Sequence, residues 1–209
     1  MQFKKIWKIR EDIRKLLSSY DSDNKDVRGL SRTLGRLLNK KYKTRFVWVP
    51  SSVLYRNHIV VSGDYAHWED CEEPSPIEIR IHTHPDILTY PLGKKGYKSW
   101  NQFTKDLSEC IMHEHVHMAQ FRLHKDKKVR LQTECPDYRY YADSDEVDAY
   151  AWTLASEIAD NGGMEYILNP NIDSPYMQYK KFVFPVNYKL KKKLLRKTYS
   201  LFMKSLEYK

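Results

Sequence analysis

The sequence predicts an α+β chain: a small mixed sheet beside one long helix, flanked by N- and C-terminal helices. Three observations carry this. Apolar residues recur at helical spacing at both ends and between about 100 and 160, whereas strand-like patterns are confined to about 45–85. Glycine is scarce, at seven residues in 209, which argues against a Gly-rich nucleotide fold. The chain is 41% hydrophobic and 13% aromatic, enough to build a core and to exclude wholesale disorder.

Residues 3–20 carry Ile6, Ile9, Ile13, Leu16 and Leu17 at helical spacing, and "DSDNKD" ends that helix. Leu30, Leu34, Leu37 and Leu38 place a second helix over 26–41. "RFVWVP" and "NHIVVSG" read as short strands, followed by an acidic loop, "GDYAHWEDCEEPSP". "IEIRIHTHP" alternates Ile77, Ile79 and Ile81 with Glu78, Arg80 and His82, a half-buried strand stopped by Pro85. A loop leads to a long helix from Trp100 to about His124. After a polar connection, a helix from Ser144 to Asp160 stops before Gly162 and Gly163. "NPNIDSPYMQY" reads as loop, "KFVFPVN" as an irregular extended piece, and the rest as a basic amphipathic helix.

The length suits a single domain over 1–209, with 1–43 as a helical N-terminal part and 187–209 as a basic C-terminal helix. Cys71, Cys110 and Cys135 are odd in number and widely spaced, so no disulfide framework is implied. With no signal peptide and no apolar run long enough to span a bilayer, no membrane role is expected and the cytoplasm is the expected compartment. Residues 180–209 hold ten Lys and Arg against Glu207 alone, so the whole net charge of +9 resides there.

The chemistry concentrates in "LSECIMHEHVHMAQF". On a helical wheel of about 100° per residue, Phe103, Leu107, Cys110, Ile111, Glu114, Met118 and Phe121 share the apolar side. His113 and His117 lie one turn apart at its border, where two imidazoles can meet one metal ion. His115 points to the opposite side. His124 lies about 10 Å further along the axis, off the metal. The pattern is His113-Glu114-x-x-His117. In a chain with eight histidines it is expected by chance only about 0.02 times. A carboxylate on a core-facing side is costly unless it has a task or a partner.

These residues resemble the HExxH motif of the zincin metallopeptidases, in a compact gluzincin-like form, over about residues 45–160. The resemblance implies a zincin-like fold in which the motif helix packs against a small sheet whose edge strand pairs with an extended substrate, here "IEIRIHTH". It implies Zn²⁺ on His113 and His117, with Glu114 taking a proton from water. A metzincin would continue through a Gly to a third His, which "HVHMAQFRLH" lacks. A gluzincin takes its third ligand from a later helix, and "SDEVDAYAWTLASEIA" offers Glu146 followed by Ala149. Asp145 and Asp148 are alternatives. Asp143-x-x-Glu146 is also a capping-box pattern that would explain Glu146 locally.

"HTHP" at 82–85 is similar to the His-x-His-Pro of JAMM metallo-isopeptidases, but the Ser-x-x-Asp that should follow is missing. Its histidines read as strand-end residues, structural or facing substrate, and Cys110 reads as a core thiol. Tyr140, Tyr141, Tyr150, Tyr176 and Tyr179 are candidates to hold an oxyanion. The expected function is zinc-dependent hydrolysis of protein or peptide substrates, as an endopeptidase. The alternatives are a catalytically inactive zincin-fold binding or structural protein, or a nucleic-acid-associated protease. In that third reading Lys189, Lys191, Lys192, Lys193, Arg196 and Lys197 contact nucleic acid or an acidic partner, by analogy with SprT-like proteases.

Overall fold

The computed structural model describes residues 3–18, 27–65, 76–87, 99–123, 138–172 and 174–208. Cys71, Cys135, His124, "DSDNKD" up to Asp26 and most of the acidic loop lie outside them. The described chain is α+β. In order it runs α1 (Phe3–Ser18), α2 (Val27–Tyr42), β1 (Thr44–Pro50), β2 (Ile59–Asp64), β3 (Ile77–Thr83), α3 (Trp100–Leu123), α4 (Tyr138–Ala142), α5 (Ser144–Asp160), a 3-10 turn at Met164–Leu168, α6 (Pro175–Phe182) and α7 (Tyr188–Tyr208). Cα proximity divides it into two compact units. One spans Lys8–His115; the other comprises Met1–Trp7 and Val116–Lys209, so α3 contributes to both.

In the 8–115 unit the three strands form a mixed sheet in the order β1-β3-β2. β3 runs parallel to β1 and antiparallel to β2. This corrects the expectation that "IEIRIHTH" forms the edge: it is the central strand, and β1 and β2 are the edges. Alternation of apolar and polar residues reports only that one face is buried. Neighbour order depends on pairings distant in sequence. Ile77, Ile79, Ile81 and Thr83 are fully buried on one face of β3. Glu78, Arg80 and His82 occupy the other, where Arg80 meets Glu78 at 2.7 Å and Asp64 at 3.3 Å. In α2, Leu34 and Leu38 are buried, whereas Leu37 is 43% exposed, off the face the periodicity assigned to it. Arg14 of α1 donates to Ser108 on α3 at 2.9 Å, and Trp100 Nε1 donates to the Leu17 carbonyl at 3.1 Å, pinning α3 to α1.

In the other unit α5 packs along α7. Leu194, Thr198, Phe202 and Ser205, a helical stripe, are buried. Asp148 of α5 is ion-paired with Lys197 of α7. α5 ends in a Schellman-type cap. Gly162 and Gly163 take positive φ (87° and 127°), and the Gly163 N–H returns to the Ile158 carbonyl at 3.0 Å. Residues 175–182, read as loop and extended chain, are helix α6. Ser174 is its N-cap, accepting from Tyr176 N at 3.3 Å, and Pro175 is its first residue. Ser-Pro both opens turns and starts helices, and here it starts one. Tyr141, Tyr150, Tyr179 and Phe182 form an aromatic cluster with centroid spacings of 5.6–5.8 Å.

Candidate metal centre

α3 is buried over much of its length. Phe103, Leu107, Ile111, Met112 and Val116 are fully buried, so polar groups on this helix sit in a dry setting. Within that setting His113 is 9% and Glu114 7% exposed. His115 turns away from both and stacks edge-on against Tyr42 at 6.0 Å, as the wheel predicts.

α5 supplies the acid. Asp143 is its N-cap and accepts from the Asp145 N–H at 2.8 Å, which places Glu146 in the first turn. A full capping box would send the Glu146 carboxylate back to the Asp143 N–H. That N–H instead donates to the Tyr140 carbonyl at 3.1 Å. Glu146 Oε1 lies 3.4 Å from His117 Nε2. His113, His117 and Glu146 each offer one ligand atom, and the three atoms lie within 4.8 Å of one another. The carboxylates of the alternatives are engaged elsewhere: Asp148 pairs with Lys197, and Asp145 Oδ1 accepts from Ser144 Oγ at 3.4 Å.

Gln120, one turn beyond His117, was not singled out by the sequence. Its Nε2 donates to the Asp145 carbonyl at 2.9 Å, and its Oε1 lies 2.9 Å from His117 Nδ1. A backbone carbonyl only accepts, so the amide nitrogen must face Asp145 and the amide oxygen must face His117. His117 Nδ1 therefore carries a proton, and Nε2 is the nitrogen that faces Glu146. A carboxylate oxygen 3.4 Å from that nitrogen calls for positive charge between them, supplied by a proton on Nε2 or by a metal ion. The spacing suits a metal: bonds of about 2.0–2.1 Å at tetrahedral angles put neighbouring ligand atoms about 3.3 Å apart. Two imidazoles and one carboxylate, with a hydrogen-bonded second nitrogen on one ring, form a donor set that could hold a metal ion.

Two further features shape the centre. Gly63 on β2 stands directly against Glu114: a Cβ there would come within 2.6 Å of Glu114 Cγ, 2.7 Å of its Oε1 and 2.9 Å of Cys110 Sγ. Only glycine leaves room for the carboxylate. Burial, reinforced by the Glu114 charge, pushes the Cys110 thiol well up, and its sulfur is not among the ligand atoms that converge with His113, His117 and Glu146. Among the candidate tyrosines, the Tyr140 hydroxyl is hydrogen-bonded to Tyr150 and Glu146. Burial first, then those neighbours, hold its phenol protonated. Tyr141 and Tyr179 are likewise raised by burial and by the Glu146 charge.

The "HTHP" histidines stand apart. His82 lies on the polar face of the sheet with Nε2 2.8 Å from Ser62 Oγ. The adjacent β2 residue, Gly63, faces the opposite way, toward α3. His84 Nδ1 accepts from the Asp86 N–H at 3.2 Å, a local turn contact. No helix among the described residues is long and apolar enough to cross a membrane. No family model, curated protein or solved structure matches the chain.

Proposed function

We propose that this protein is a zinc-dependent peptidase that hydrolyses internal peptide bonds through His113, His117, Glu146 and Glu114. One observation carries the reading. His117 Nε2, its ring oriented by Gln120, faces the Glu146 carboxylate beside His113, with Glu114 one residue along the same helix. Zn²⁺ held by those three residues would supply a Lewis acid and a water acidified to a pKa of about 7. Glu114 is the general base. Its buried carboxylate, confined by Gly63, accepts the proton of the attacking water and returns it to the departing amine nitrogen. Gln120 orients His117, and Tyr140 orients Glu146 while remaining a phenol able to donate. β2, an edge strand among the described residues that meets Glu114 at Gly63, is where an extended substrate would pair.

The test combines metal analysis with peptide cleavage. Purified native protein should carry about one zinc per chain. His113→Ala, His117→Ala and Glu146→Ala should each lose it, and His115→Ala should keep it. Glu114→Gln leaves the three ligands in place, so it should retain zinc while cleavage of a broad peptide library falls by about 10²–10⁴-fold. An active Glu114→Gln protein would refute the general-base role. A zinc-loaded native protein that cleaves nothing in the library would leave a zincin-fold binding or structural protein in its place.

A further inference from the structure

Far along the chain from the histidines, α2 and β1 enclose an open groove of about 790 Å³ within the 8–115 unit. Arg32 and Arg36 line it from α2 and Arg45 from β1, together with Ser31, Asn39 and Phe46. Arg32 and Arg36 are four residues apart on one helix, hence neighbours with Cβ atoms about 5–6 Å apart. Arg45 is 68% exposed and reaches Glu78 only at 3.9 Å, a loose pair that leaves its guanidinium available. No carboxylate is among the described residues that line the groove. Gly35 lies between the two arginines of α2. A mid-helix glycine costs about 1 kcal/mol relative to alanine, and no neighbour explains it, since a Cβ there would meet nothing within 4 Å. Its effect is to leave the helix backbone open to whatever enters the groove.

We propose that this groove binds the phosphate backbone of single-stranded nucleic acid. Guanidinium forks pair phosphate oxygens bidentately, and three of them in one acid-free groove set up the charge complementarity. The remaining lining argues for a nucleic acid rather than an acidic peptide. Half-buried Phe46 offers aromatic surface against which a base can pack, and exposed Asn39 offers an amide to base or sugar edges. Its residues are distinct from those of the basic face of α7, where Lys189, Lys192 and Arg196 are exposed.

The test is fluorescence anisotropy of a labelled 20-nucleotide oligothymidine on the full chain across a salt series. Three variants are compared: Arg32→Ala/Arg36→Ala/Arg45→Ala, Gly35→Glu, and Lys189→Glu/Lys192→Glu/Arg196→Glu on α7. With the groove as the site, the triple alanine variant loses at least about tenfold in affinity. Its log–log salt slope falls by about 2, from about 0.7 per phosphate contact on a single strand. Gly35→Glu, which projects a carboxylate into open space, weakens binding without removing an arginine. Circular dichroism checks folding of each variant; should the triple variant unfold, Gly35→Glu decides. Folded groove variants that bind with native affinity and slope overturn the proposal, as does a native protein that ignores the oligonucleotide at 20 mM salt. Polyglutamate that competes as well as unlabelled oligothymidine also overturns it, in favour of an acidic peptide.

Discussion

Gln120 links two observations that neither histidine explains alone: a protonated Nδ1 on His117, and a fixed distance from α3 to the start of α5. Removing it should leave the three ligands but free the His117 ring. Gln120→Ala is expected to weaken zinc binding about 10–100-fold, measured by competition with a chelator, with little change in helical content. Gln120→Glu keeps an acceptor for Nδ1–H but has no amide N–H for the Asp145 carbonyl, and should retain more affinity than alanine. Gly63 acts by absence. Gly63→Ala drives a methyl to 2.6 Å from Glu114 Cγ, so the carboxylate must move. Cleavage should fall at least about 10²-fold while zinc content stays native, a split that metal analysis beside peptide assays would reveal. His82 makes a prediction about pH. Burial, then the Arg80 charge, holds its pKa below 6.5 in the folded chain. Above pH 6.5 neither state binds the proton. As pH falls through 6.5 the unfolded chain takes it up first, and folding stability drops. Thermal melts of EDTA-stripped protein at pH 7.5 and 5.5 should show a smaller loss in His82→Gln than in the native chain.

Among the secondary-structure elements, α5 contributes most that α3 alone cannot. Its first turn delivers Glu146, and its alanines give it a slim profile: Ala149, Ala151 and Ala155 are fully buried. Asp143 caps the helix without claiming Glu146, so the local explanation for this acid accounts for its position in the first turn and not for where its carboxylate points. Asp143→Ala should cost about 1 kcal/mol of stability through the lost cap, read from denaturant melts, and leave a smaller defect in zinc affinity than Glu146→Ala. The sheet teaches a related point. β3 carries the clearest alternation in the chain and was the natural choice for an exposed edge. That same alternation makes it suitable for the centre, with a buried isoleucine face on one side and a salt-bridged Arg80 face on the other.

At the scale of the whole molecule, α7 is more than a basic appendage. Leu194 is fully buried and Phe202 8% exposed against the unit that contains α5, and Lys197 is held by Asp148. Deleting 188–208 should therefore expose apolar surface and abolish a cooperative thermal transition, measured by calorimetry. Leu194→Ala alone should cost about 2–5 kcal/mol. The charge of +9 is concentrated on this helix and its approach, and the groove arginines lie in a different part of the chain. Balanced counts of acid and base outside the tail concealed them, because a net charge says nothing about which groups share a surface.

The sequence by itself determined the α+β class, the long motif helix, the phase that brings His113 and His117 together and turns His115 away, and the candidacy of Glu146. Each is a matter of periodicity and short-range spacing, which side-chain direction along a helix makes legible. The tertiary structure alone decided which acid meets His117, that β3 is central, that Gly63 shelters Glu114, and that Gln120 holds His117 through a carbonyl 25 residues away. Each of these depends on a contact between segments distant in the chain, and such contacts follow from how elements pack rather than from the pattern within any one of them.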